Sequence, residues 1–151
     1  MSQQSRFEAD ATVPELTAEV VATIDAHVRA TNEAWESGRL PEDSVLRDVA
    51  DDLVAVQHSP RFDGGVWRAG SGADWLTGTA EAAEALAGQG CRWALHDLVV
   101  RVRNRDEALA AYRIVHSWGD GRPSAEALFL EAWARGPHGR WTLVRHTAEK
   151  L

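Results

Sequence analysis

The sequence predicts an α+β domain, and three observations carry the prediction. Apolar residues recur at helical spacing from Leu16 to Trp35, the period changes to alternation after Cys91, and the alternating runs are joined by short turns rich in Gly, Asp and Asn. A helical half followed by an antiparallel meander is the α+β pattern. With 151 residues the chain has the size of one domain. No repeat or linker-like stretch divides it, so residues 13–151 are expected to fold as a unit behind a flexible segment, residues 1–12.

Thr12-Val-Pro-Glu15 is a capping-box pattern with proline just inside the helix start. Leu16, Val20, Ile24, Val28 and Trp35 then share one helical face and Gly38 supplies the stop, which gives an amphipathic helix about 30 Å long at 1.5 Å per residue. Pro41 is expected to open a short second helix with Val45, Leu46 and Val49 facing inward, followed by a strand over residues 53–58. Pro60, Asp63-Gly64-Gly65 and Gly70-Ser71-Gly72 surround Phe62 and Trp67 with loop chemistry, read as a mobile rim loop. That segment has no P-loop lysine and opens no GxGxxG helix, so it is no phosphate cradle. Thr79 is expected to cap a third helix over residues 80–87, ending at Gly88. Four strands follow over about residues 92–103, 108–118, 125–135 and 140–147, joined by Asn104-Arg-Asp106, Gly119-Asp-Gly121 and Gly136-Pro-His-Gly139.

Composition removes several function classes. Net charge is −7, from 16 basic and 23 acidic residues, which opposes duplex-phosphate binding because that needs a clustered basic face. The basic run from Arg101 to Arg105 reads as a solvated hairpin. No apolar run approaches membrane-spanning length, and Met1 to Ala11 is polar without the apolar core of a signal sequence. The single cysteine, Cys91, excludes an internal disulfide and a thiolate zinc cluster, and the expected compartment is the cytoplasm. Seven Trp against one Tyr and three Phe supply rigid apolar surface that suits a cavity wall or a core, with Trp67, Trp75, Trp93, Trp118 and Trp133 as wall candidates.

Alternation assigns the strand faces. His96 shares a side with Leu98, Val100 and Val102; His116 with Ala110, Tyr112, Ile114 and Trp118; Glu131 with Phe129 and Trp133; and His146 with Thr142 and Val144, opposite Trp141 and Leu143. A carboxyl such as Glu131 among aromatic rings is held toward its neutral form by desolvation and is then a usable general acid. Paired with an arginine such as Arg92, it is instead a structural ion pair. Histidine transfers protons near neutrality, and each histidine taken singly also fits a hydrogen-bonded core position. Three His and a carboxylate are a donor set for zinc or iron, but no HxH or HxxxH spacing supports it, and neither metal nor other cofactor is expected.

The order of elements, together with three stretches, resembles the nuclear transport factor 2-like superfamily, which includes ketosteroid isomerases, SnoaL-like polyketide cyclases and many small bacterial domains. The stretches are Asn32-Glu-Ala-Trp-Glu-Ser-Gly38, Val49-Ala-Asp-Asp-Leu-Val-Ala-Val-Gln-His-Ser59, and the terminal hairpin Ala127-Leu-Phe-Leu-Glu-Ala-Trp-Ala134 with Gly139-Arg-Trp-Thr-Leu-Val-Arg-His146. The resemblance covers roughly Pro14 to Thr147. It implies a conical α+β barrel whose curved, mostly antiparallel sheet wraps one side of a cavity while the long helix closes the other. Against the isomerase pattern, Gln57 falls where the catalytic aspartate stands, with His58 one residue on, and Glu131 falls at the protonated acid of the oxyanion hole. The first-helix tyrosine has no counterpart, because His27 and Thr31 occupy that region. The aspartate dyad and arginine of limonene-type epoxide hydrolases have no counterpart either.

These readings converge on a cofactor-independent isomerase, cyclase or dehydratase acting by proton transfer on a hydrophobic carbonyl compound. Glu131 and His146 are the expected acid and base, with His58, His96 and His116 assisting. Tyr112 is the orienting donor, and Gln57, Trp67, Trp118, Phe129 and Trp133 are the ligand-binding wall. The alternative is a non-catalytic ligand-binding or protein-interaction module. The resemblance also implies a homodimer through the convex sheet face, for which Leu128, Leu130, Trp141 and Leu143 are the outward apolar residues.

Overall fold

The computed structural model of the chain describes residues 12–58 and 65–151. Helix α1, Val13–Ser37, has the capping box expected of it: the Thr12 hydroxyl accepts from the Glu15 N–H and the Glu15 carboxylate accepts from the Thr12 N–H. It ends at Gly38, whose φ of 77° is left-handed and whose N–H donates to the Ala34 carbonyl. Leu16, Val20, Ile24, Val28, Thr31 and Trp35 form its buried stripe. Enclosing Val20 and Ile24 alone stabilises the fold by about 1.5–3 kcal/mol per side chain.

A 3-10 turn, Val45–Arg47, replaces the expected second helix. Only Leu46 is buried there, Val45 being exposed, and Arg47 satisfies the carbonyls of Leu40 and Pro41. Strands β1 (Val49–Gln57) and β2 (Trp67–Ala69), helix α2 (Gly72–Leu86) and strands β3 (Arg92–Asn104), β4 (Glu107–Ser117), β5 (Ala125–Arg135) and β6 (Trp141–Lys150) follow. Helix α2 starts at Gly72 because the Ser71 hydroxyl caps the Asp74 N–H; Thr79, the expected cap, lies mid-helix with its hydroxyl donating to the Trp75 carbonyl. Part of the expected rim loop therefore forms β2 and the start of α2, and its Pro60, Phe62 and Asp63 lie outside the described residues.

The six strands form one sheet in the order β2-β1-β6-β5-β4-β3, antiparallel except for the parallel β1–β6 pair. The sheet does not close. Its concave face packs on α1 through Leu53, Ile114, Phe129, Trp133 and Leu143, while Trp35, Leu46, Ala83 and Cys91 form a second, smaller cluster. Among the described residues no helix is long and apolar enough to cross a membrane.

Two β-bulges set which side chains reach the concave face. In β3, His96 pairs with Arg113 but Val99 with Ala111, so one extra residue is accommodated at Asp97, whose φ is 57°. Trp93 and Leu95 face inward before the bulge and Leu98, Val100 and Val102 after it. His96 is thereby turned outward and exposed, against the expectation from simple alternation. In β6, Leu143 pairs with Trp133 and Arg145 with Ala132, leaving Val144 as the extra residue. Trp141 and Leu143 consequently face in, at 4% and 2% exposure, and cannot serve the outer surface assigned to them. His146 resumes the inward direction three residues after Leu143.

Candidate functional site

Between α1, α2 and the concave sheet lies a cavity of about 350 Å³, within the range of small-molecule sites, about 300–1,000 Å³. Five tryptophans, a tyrosine and a phenylalanine stand in its wall. Trp75 of α2 and Phe129 of β5 meet the His146 ring edge-on at centroid distances of 4.9 and 4.7 Å, and Trp67 lies against Trp75 at 5.4 Å. Gly78 makes room for that arrangement: a Cβ there would collide with the Trp67 indole.

A chain of polar side chains crosses the floor. Glu131 and His146 are directly opposed on β5 and β6, which brings Glu131 Oε2 to 2.7 Å from His146 Nδ1. Tyr112 of β4 stands diagonally across from Glu131 and donates its hydroxyl to Oε1 at 2.6 Å. On the other flank the parallel β1 pairs Ala55 with His146, which places Gln57, two residues further on, with Nε2 at 2.9 Å from His146 Nε2. An amide nitrogen only donates, so His146 Nε2 carries the lone pair and Nδ1 carries the proton given to Glu131. Burial and the neighbouring Glu131 carboxylate push the Tyr112 phenol well above its ordinary value of 10.0, keeping it a neutral donor. A neutral imidazole steadied at Nδ1 by a carboxylate is the arrangement in which Nε2 accepts a proton and the carboxylate stabilises the imidazolium so formed. Among the described residues no arginine pairs with Glu131: Arg92 is exposed, and Glu131 is held by Tyr112 and His146.

Opposite this chain, α1 contributes His27, whose ring stands perpendicular to Trp133 at a centroid distance of 4.9 Å. Burial pushes the His27 imidazole below its ordinary value of 6.5, opposed in part by the carboxylates of Glu131 and Asp48. His27 Nε2 and Trp133 Nε1 are buried with no hydrogen-bond partner among the described residues. Each such atom costs about 1–3 kcal/mol while unsatisfied.

No family model matches the sequence, and no curated protein matches it. Solved structures do. A nuclear transport factor 2-like superfamily protein from Salmonella enterica serovar Typhimurium superposes with a TM-score of 0.64 at 10% identity, covering 92% of this chain and 93% of that one. An NTF2-like protein of unknown function in nutrient uptake from Rhodospirillum rubrum gives 0.60 at 19% identity, with 87% and 98% covered. The CaMKII hub of S. rosetta gives 0.66 at 15% identity, with 95% and 100% covered. The chain has the nuclear transport factor 2-like fold. The enclosure of a long helix by a curved, mostly antiparallel sheet that the resemblance implied is present, the sheet being open.

Within the nuclear transport factor 2-like frame, Glu131, His146, Tyr112, Gln57, Trp67, Phe129 and Trp133 come together on the cavity wall. Four expected members do not. His96 lies on the outer face of the sheet because of the bulge at Asp97. His58, the first residue after β1, is not among the residues lining the cavity, and its N–H donates to the Ala148 carbonyl. His116 faces inward but is enclosed away from the cavity: Trp93 Nε1 donates to its Nδ1 at 3.0 Å and Trp35 and Trp118 pack on its ring at 5.3 and 4.2 Å. Trp118 belongs to that enclosure, with the Arg122 guanidinium stacked over it, and not to the cavity wall. His27 is the wall residue that strand alternation overlooks. Its signal was helical: it falls three residues after buried Ile24, on the inward edge of the α1 stripe. Among the described residues no group of three or more His, Cys, Asp or Glu is placed to hold a metal ion.

Proposed function

We propose that the cavity binds an apolar small molecule bearing a carbonyl group and that Glu131 and His146 move a proton on it, the step common to isomerisation, cyclisation and dehydration. The Tyr112–Glu131–His146–Gln57 chain on the floor of an aromatic cavity is the observation that carries the reading. A ligand C–H acid displaces the Gln57 amide from His146 Nε2, Nε2 takes the proton, and Glu131 balances the new charge through Nδ1. Tyr112 fixes the carboxylate in place. The test is deuterium exchange at the α-carbon of methyl naphthyl ketone in D₂O, followed by proton NMR. Wild type is expected to accelerate exchange over buffer, and His146→Gln to lose about a hundred-fold of that acceleration. Equal rates for wild type, variant and buffer count against proton transfer.

One observation favours a second reading, a non-catalytic binding or interaction module. Gln57 already occupies His146 Nε2, so the floor chain is satisfied internally, as a purely structural network is. Binding without exchange is the result that selects it.

A homodimer belongs to the same proposal, through a corrected surface. On the outer face Val99, Ala111 and Leu130 stand in register across β3, β4 and β5, with Leu109 beside them; Val99, Leu109 and Leu130 are 65%, 41% and 46% exposed. Arg101 and Arg145 flank this row on one side, and Asp97, Glu126 and Glu149 surround Arg113 on the other. A two-fold axis through the row sets the basic flank of one copy against the acidic flank of its partner. Sedimentation is expected to show a dimer that Leu130→Arg converts to monomer; a wild-type monomer at micromolar concentration contradicts this.

A further inference from the structure

The floor chain does not account for all the polar atoms around the cavity. His27 and Trp133 supply two more, and both are buried without a partner among the described residues. Trp133 belongs to β5, two residues beyond Glu131, and is almost wholly enclosed, yet its indole N–H meets no acceptor among the described residues. An indole N–H has no alternative role, since it only donates. His27, perpendicular to that indole on the facing helix, presents a second buried nitrogen without a partner. The two rings meet edge to face at the cavity, and one ligand oxygen reaching both, with His27 as its Nε2–H tautomer, satisfies the two atoms together.

The charge of the wall restricts what carries that oxygen. Among the described wall residues there is no Lys or Arg, and the acidic ones are Glu131 and Glu81. A carboxylate or phosphate entering this cavity loses its hydration and gains no cation to replace it, beside an acidic group. A neutral carbonyl loses far less and receives the N–H donors it needs.

We infer that His27 and Trp133 form the seat for a neutral carbonyl oxygen, so that the cavity selects uncharged ketones, aldehydes or amides with an apolar, ring-bearing body and rejects the corresponding acids. This assigns the oxygen to rings that belong to α1 and to the next inward-facing position of β5 after Glu131. It rests on the reading of the cavity as a binding site, and not on catalysis there.

Binding separates the two claims. The full chain is titrated with methyl naphthyl ketone, ethylnaphthalene and naphthoate, followed by calorimetry. The ketone is expected to bind about ten-fold tighter than ethylnaphthalene, the worth of one buried hydrogen bond, and at least ten-fold tighter than naphthoate. Trp133→Phe removes the N–H and keeps a ring, so it is expected to bring the ratio of ketone to ethylnaphthalene affinity from about ten-fold to about one, whatever the smaller ring does to both ligands alike. His27→Phe is the second variant, with the same expected pattern. Ketone and hydrocarbon binding wild type equally, or naphthoate matching the ketone, overturns the carbonyl seat and leaves the binding cavity standing. Failure of all three probes to bind overturns the binding reading itself. The wild-type series decides between these outcomes even if a variant does not fold.

Discussion

Two buried histidines of this chain, His116 on β4 and His146 on β6, point to the same side of the same sheet and are 1% and 2% exposed, but they are built for different work. His146 has a carboxylate on Nδ1 and a cavity beside it. His116 has an indole N–H on Nδ1 and tryptophans packed on its ring. An indole only donates, so His116 is fixed with a bare Nδ1 and the proton on Nε2, the opposite tautomer to His146. Facing inward does not make a histidine a proton carrier. The partner on its other nitrogen, and a cavity beside the ring, decide.

The largest expected contrast is in chemistry. His146→Gln should lower α-carbon exchange of methyl naphthyl ketone by about a hundred-fold or more, whereas His116→Gln, measured below its melting transition, should leave it within about three-fold. Comparable losses in both erase the distinction. In stability the contrast runs through packing. His116→Ala opens a hole between Trp35 and Trp118 and is expected to cost about 3 kcal/mol in urea unfolding, as other buried ring deletions do. A cost below about 1 kcal/mol means that the enclosure is loose.

Glu131→Gln is expected to change stability by no more than about 1 kcal/mol, because an amide oxygen still accepts from Tyr112 and the amide nitrogen donates to His146 Nδ1 once the Gln57 amide turns its oxygen toward Nε2–H. A loss of several kcal/mol shows an ionic pair on which folding depends. The smallest effect is the pH dependence of His27. Its folded value lies below 6.5, so as pH falls through that point the unfolded chain binds the proton first. Stability from this group is therefore full above 6.5 and lost as pH drops toward the folded value. Chemical denaturation between pH 7.5 and about 5 should show a decline that His27→Phe flattens; an unchanged slope in the variant removes His27 as its source.

Much of this was legible in the sequence. The capping box and Gly38 bound α1 to the residue, and period-2 alternation put Tyr112 and Glu131 on one face of their strands. What the sequence hid were single-residue events. Asp97 and Val144 each insert one residue into a ladder, and each reverses the side-chain direction of part of a strand. The first turns His96 out. The second brings Trp141 and Leu143 in. Gly72 reads as loop, although it opens α2, and nothing local marks Gly78 as the position that admits the Trp67 indole. Gln57 and His146 meet through a parallel pairing of β1 with β6, 89 residues apart, for which no local pattern exists.

The most direct measurement is ¹⁵N–¹H NMR of the imidazoles at pH 7.5, with and without saturating methyl naphthyl ketone. His146 is expected as the Nδ1–H tautomer with its proton held by Glu131, and His116 as the Nε2–H tautomer. Added ketone should shift the His146 Nε2 resonance and leave both His116 nitrogens in place. His146 found with its proton on Nε2, or a bound ketone that leaves His146 unmoved, would contradict the assignment of Glu131 and His146 as the proton-transfer pair.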